Sequence, residues 1–215
     1  WVCITDAVEE RYNLPHGFVF AMMMQETNGI EFLMNSQGDG GAGLCHMQPE
    51  AASAFGLKTF DNCTELICYE DASKLLAFIN TNRSNRALLA ETDERLDHVK
   101  NLDAVGRMLA YYISHTSVFN APLRSALRAY TGTTNYEPYW IKVKNYINLF
   151  DDSTFISRVE QTFNKFNPNY VGGWNGYLEN YCKLCDNYGL LEYDKLPKYK
   201  PKNSEIVLRT YRNFL

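Results

Sequence analysis

Phe18-Val19-Phe20-Ala21-Met22-Met23-Met24-Gln25-Glu26 is an apolar run closed by a single carboxylate, and Gly38-Asp39-Gly40-Gly41-Ala42-Gly43-Leu44 follows about a dozen residues later. A carboxyl group at the apolar end of a helix loses hydration. Its charged form is then disfavoured, and its pKa is expected to rise toward the range where it donates a proton near neutral pH. The glycines carry no Cβ and allow backbone to approach a bulky ligand. Acid and close-approach loop together suggest a cleft for a polymer.

Helical signals run outward from this stretch. Asn13 is placed to cap a helix with Pro15 in its first turn, and the apolar run carries that helix to Glu26. A second helix starts at Pro49, continues through Ala51, Ala52, Ala54 and Phe55, and stops at Gly56. Leu102, Val105, Leu109, Tyr112 and Ile113 recur at three- and four-residue spacing, the stripe of an amphipathic helix. Leu123 to Tyr130 reads as another, ended by Gly132, and Pro138 opens one through Trp140, Val143, Ile147 and Phe150. Alternating strand patterns are nearly absent. The expected fold is all-α, with a short hairpin near the glycine loop.

A boundary is expected near Phe150-Asp151-Asp152-Ser153, which divides the chain into residues 1–150 and a helical, aromatic-rich extension, residues 151–215. Phe155, Val159 and Phe163 suggest one helix there. Trp174, Tyr177, Tyr181, Leu184 and Tyr188 share the face of another, with Gly189 as its stop. Such a stripe packs a core more often than it stacks on sugar rings. Lys195 to Lys202, with Pro197 and Pro201, reads as an exposed connector.

At 215 residues the chain is long enough for a proper core, as one domain with an appendage or two small ones. Its net charge of -4 argues against a nucleic-acid partner, which calls for a basic face. No apolar run reaches membrane-spanning length. The chain opens at Trp1 rather than methionine, as a trimmed or processed product would. Cys3, Cys45, Cys63, Cys68, Cys182 and Cys185 form an even set that fits an oxidising compartment and up to three disulfides. Free buried thiols, or a zinc site made of the Cys63/Cys68 and Cys182/Cys185 pairs, are the alternatives. No serine or cysteine nucleophile motif and no His-Glu-x-x-His occurs, and His16, His98 and His115 are scattered, so neither a triad hydrolase nor a zinc peptidase is indicated. Neither metal nor cofactor is expected.

From about Tyr12 to Phe150 the chain resembles the soluble lytic transglycosylases, a lysozyme-like family to which goose-type lysozyme is related. The family's Glu-Ser pair at a helix end is matched by Glu26-Thr27. Its Gly-Leu-Met-Gln segment before a proline is matched by Gly43-Leu44-Cys45-His46-Met47-Gln48-Pro49, and its Ala-Tyr-Asn by Ala129-Tyr130-Thr131-Gly132. Cys45, His46 and Thr131 depart from the family's methionine, glutamine and asparagine. Order and spacing agree across all three segments.

The resemblance implies a lysozyme-like helical domain that cleaves peptidoglycan between N-acetylmuramic acid and N-acetylglucosamine, as a monomer in the periplasm or outside the cell. Glu26 would protonate the linking oxygen and then, as carboxylate, accept the proton of the muramic acid 6-hydroxyl. That hydroxyl attacks its own anomeric carbon and gives a 1,6-anhydro end. Tyr130 would hold or polarise Glu26. Thr27, Gly43, Leu44, His46, Met47, Gln48, Ala129 and Thr131 would contact sugar, with Gln48 standing in for the family glutamine. Asp39 resembles the aspartate that activates water in goose-type lysozyme, which would give hydrolysis across a gap of roughly 6.5 to 9.5 Å between the carboxyls. Its other reading is a turn residue capping local amides. A third possibility is an inert peptidoglycan-binding domain, with residues 151–215 meeting a partner in an envelope complex.

Overall fold

The computed structural model describes residues 1–35, 38–63, 69–115, 122–132, 136–151, 161, 164–165, 168–169 and 171–172. Eight α-helices lie among them: α1 (Val2–Tyr12), α2 (Phe18–Thr27), α3 (Pro49–Ala54), α4 (Tyr69–Asn82), α5 (Arg86–Thr92), α6 (His98–His115), α7 (Pro122–Thr131) and α8 (Glu137–Asp151). The fold is all-α. The expected hairpin is reduced to two isolated antiparallel bridges, Met34 with Ala42 and Ala42 with Met47. No helix among the described residues is long and apolar enough to cross a membrane. The expected helices around Phe155 and Trp174, and the connector from Lys195, lie outside the described residues.

The main core is built around α6, whose Leu102, Val105, Leu109 and Ile113 are buried as their spacing predicts. α1 and α7 pack on α6, while α2 packs on α1 and α8. α1 crosses α6 closely because Gly106 has no side chain: a Cβ there would lie 2.3 Å from Val8 Cγ1. The buried Asp103 beside this crossing accepts from Tyr12 Oη at 2.7 Å and Arg107 Nη2 at 2.9 Å. A smaller core of Leu75, Ile79, Leu89 and Leu96 covers Ala42 of the glycine loop.

The start of α2 corrects the expectation for Asn13. Asn13 ends α1 in the left-handed region (φ 51), and Gly17 is the residue before α2. The first-turn amides of α2 are satisfied from a distance by the buried Glu9 of α1, which accepts from Gly17 N at 2.7 Å, Val19 N at 2.7 Å and Phe20 N at 3.3 Å. One carboxyl therefore fixes the entry of the helix that carries Glu26.

Burial outweighs those three amides and pushes the Glu9 pKa from 4.5 to about 8. A raised folded-state pKa means the native protein holds a proton that the unfolded chain releases between these values. The stability linked to Glu9 is therefore full below about pH 4.5 and is lost as pH rises through about 8. Urea denaturation should show wild-type stability falling across this window, with a shallower fall in Glu9→Gln. Asp6, also shifted upward by burial, leaves a residual slope of the same sign.

Candidate active site

The glycine loop is held from below by a buried ion pair. Arg95 Nη2 meets Asp93 Oδ2 at 2.7 Å, while Nη1 donates to the carbonyls of Gly40 at 2.6 Å and Met47 at 3.0 Å. One guanidinium thus satisfies backbone at both ends of the loop. Gly43 (φ 79) lies on the same turn, and a Cβ there would stand 2.0 Å from the Arg95 carbonyl oxygen. This corrects the expectation of ligand approach: at Gly43 the close contact is with the protein's own backbone.

Thr27 joins the loop to α2. It is buried, and its hydroxyl reaches the Leu44 carbonyl at 2.8 Å and the Met23 carbonyl at 3.3 Å. Leu44 and Met47 are core residues, each 2% exposed. Thr27, Leu44 and Met47 therefore do not line an open surface as sugar contacts would. Gln48 Nε2 donates to Asp39 Oδ2 at 3.0 Å, so its amide is turned to the loop. Asp39 Oδ2 also accepts from Asn35 Nδ2 at 3.0 Å, and its Oδ1 accepts from Gly41 N at 3.0 Å. The structure gives Asp39 the turn role.

Glu26 is near the end of α2 with its side chain 16% exposed. Oε1 accepts a hydrogen bond from Tyr139 Oη at 2.5 Å, and Oε2 lies 3.3 Å from His46 Nδ1. The expected partner, Tyr130, instead donates to the Cys45 carbonyl. Tyr130 remains beside the site, with its ring centroid 6.2 Å from that of Tyr139. Burial, and then the negative charge of Glu26, push the pKa of both phenols up, which keeps each an O–H donor.

His46 faces Glu26. Its side chain is 11% exposed, and its Nε2 is enclosed with no hydrogen-bond partner. Against an ionised carboxylate Nδ1 must carry the proton, so in that contact His46 donates to Glu26. Ala129 is exposed, and Thr131 Oγ1 turns back to the Arg128 carbonyl at 3.3 Å.

Cys45 is a free, buried thiol, so the six cysteines do not form three disulfides. Burial and the Glu26 charge push its pKa well up, which keeps it protonated and poorly nucleophilic. Cys63 is disulfide-bonded, which removes it from a four-thiolate zinc site.

Tyr139 is the residue that sequence reasoning missed. It follows Pro138 at the start of a helix whose existence was legible, but the face that meets Glu26 is set by the packing of α8 on α2. We find no protein-family model, no curated protein and no solved structure that matches this chain.

Arg95→Met removes the cation that compensates Asp93 and the donor to two loop carbonyls. Leaving a buried charge unpaired costs about 3–5 kcal/mol, a loss to be read from the shift in denaturant midpoint. Arg95→Lys should recover little of it, because an ammonium lacks the planar fork that reaches Asp93 and both carbonyls together.

Proposed function

We propose that this protein is a lysozyme-like peptidoglycan lytic transglycosylase. It cuts the β-1,4 bond between N-acetylmuramic acid and N-acetylglucosamine and leaves 1,6-anhydromuramic ends. The observation that supports this best is that the three sequence segments are in contact with one another around Glu26. Glu26 of the first meets His46 of the second, and the adjacent Cys45 carbonyl accepts from Tyr130 of the third.

The chemistry follows from one acid used twice. Protonated Glu26 gives its proton to the linking oxygen as that oxygen leaves the anomeric carbon. The Glu26 carboxylate then takes the proton of the 6-hydroxyl as that oxygen closes on the same carbon, so Glu26 ends protonated and no water is consumed. Tyr139 and His46 hold the two oxygens throughout and donate to the carboxylate formed midway. Hydrolysis through Asp39 is the less favoured route, because the Asp39 carboxylate already accepts from Asn35, Gln48 and the Gly41 amide. An exported setting belongs to the same proposal and is supported by the disulfide at Cys63, since such bonds persist in oxidising compartments.

Purified sacculi test both substrate and mechanism. Wild-type protein should release muropeptides whose mass is one water below that of reducing-end products, whereas reducing ends alone would overturn the transglycosylase mechanism. Glu26→Gln should abolish release while retaining binding; undiminished release would show that Glu26 is not the acid.

Tyr139→Phe removes one of the two donors to the charged carboxylate. Such a bond contributes about 1.5–3 kcal/mol, so kcat should fall about 10- to 100-fold with little change in KM. Tyr130→Phe, which does not touch Glu26 directly, should have the smaller effect on kcat.

A further inference from the structure

Away from Glu26, at the junction of α1 and α2, Asp6, Glu9 and His16 each offer one metal-ligating atom, all within 4.8 Å of one another. Asp6 and Glu9 stand three residues apart on α1 and so share a face, while His16 belongs to the Pro15-His16-Gly17 turn that leads into α2. His16 Nδ1 lies 3.2 Å from Asp6 Oδ1 and 3.7 Å from Glu9 Oε2. A tetrahedral zinc ion, with bonds of about 2.0–2.1 Å, spaces its ligand atoms about 3.3 Å apart. The three side chains are already close to that spacing. Asp6 Oδ1 is enclosed and accepts no hydrogen bond, and among the described residues neither carboxyl has a lysine or arginine at ion-pair distance. Glu9 is 3% exposed and held by three backbone amides; its Oε2 accepts one of them, from Gly17 N, and keeps a lone pair. Burial, and more weakly the charge of Asp6, raises the Glu9 pKa, a cost that a cation between the two carboxyls relieves.

We propose that Asp6, Glu9 and His16 bind one divalent transition-metal ion of the zinc class, through a carboxylate oxygen from each acid and the imidazole Nδ1. The site is separate from Glu26 and does not depend on the chemistry assigned to it. One imidazole and two carboxylates suit zinc or cobalt, whereas calcium takes six to eight oxygens. Asp6 and His16 have side chains 42% and 57% exposed, so the ion enters from solvent and keeps water in its remaining position. Bound there, it ties α1 to the turn before α2 and takes the place of the proton that Glu9 otherwise holds near neutral pH. The competing arrangement is a charged His16 paired with the two carboxyls and no metal.

The test uses the full chain, stripped of metal with a chelator that is then removed, and titrated with Co2+ as a spectroscopic stand-in for zinc and with Zn2+ itself. Cobalt should saturate with the weak visible bands of a nitrogen and oxygen ligand set. His16→Ala and Asp6→Asn should each weaken that binding at least about tenfold, and Zn2+ should raise the thermal midpoint of wild type but not of either variant. Melting without metal checks that both variants are folded. Glu26→Gln should bind cobalt as wild type does. Cobalt bands that survive both substitutions, a spectrum of thiolate charge transfer alone, or loss of binding in Glu26→Gln would overturn the site by placing the ion elsewhere. Failure to saturate by roughly 1 mM cobalt would overturn it as well, and leave His16 as the ion-pair partner of the two carboxyls.

Discussion

Everything at the site depends on the buried pairing of Arg95 with Asp93. A loop with backbone polar groups turned inward needs partners there, and Arg95 supplies them to Gly40 and Met47 while Asp93 offsets its charge. Once those two carbonyls are fixed, the turn between them has little freedom. Gly43 is wedged against the Arg95 carbonyl, and the Leu44 carbonyl reaches Thr27 at the foot of α2. The loop and the end of α2 are therefore one rigid unit, so His46 is presented to Glu26 by backbone held at several points.

A second constraint orients α2 from its other end. The Glu9 carboxyl ties the first turn of α2 to α1, and the packing of α8 along α2 brings Tyr139 to Glu26. Glu26 is thus set from three directions, by α2 itself, by the glycine loop and by α8. Neither side-chain contact of Glu26 is local in sequence: Tyr139 is 113 residues away, and His46 is 20.

That separation explains what the sequence reveals and what it hides. The long apolar stripe of α6 is legible because its period is a local property, and so are the proline starts of α3 and α8. α1 is hidden in the sequence although Ile4, Val8 and Tyr12 recur every four residues, because Glu9, Glu10 and Arg11 dilute its apolar character. Asn13 is ambiguous in the sequence because an asparagine suits both the cap before a helix and the left-handed residue after one. Glu26 and the loop could be singled out by residue type, but the role of Asp39 could not. A Gly-Asp-Gly turn looks the same whether its carboxylate faces a cleft or, as here, its own amides. Likewise, choosing Tyr139 over Tyr130 as the partner of Glu26 requires knowing which helix packs on which.

The backbone at His46 is the most constrained point of the contact between the loop and Glu26. Its φ of 46 lies in the left-handed region, which is uncommon for a residue with a Cβ. Such strain persists only where surrounding contacts over-determine it. They do so here: His46 N donates to the Gly43 carbonyl at 3.0 Å, Ala42 N donates to the Met47 carbonyl at 3.1 Å, and Arg95 holds Met47 from below. A glycine at position 46 would relieve the conformation but would carry no imidazole. The fold keeps the strained histidine, and its ring, otherwise buried with a bare Nε2, makes its polar contact with Glu26. A loop organised chiefly to pack would place an apolar or glycine residue there. Strain, burial and the contact with Glu26 together leave the His46 ring fixed against the carboxyl.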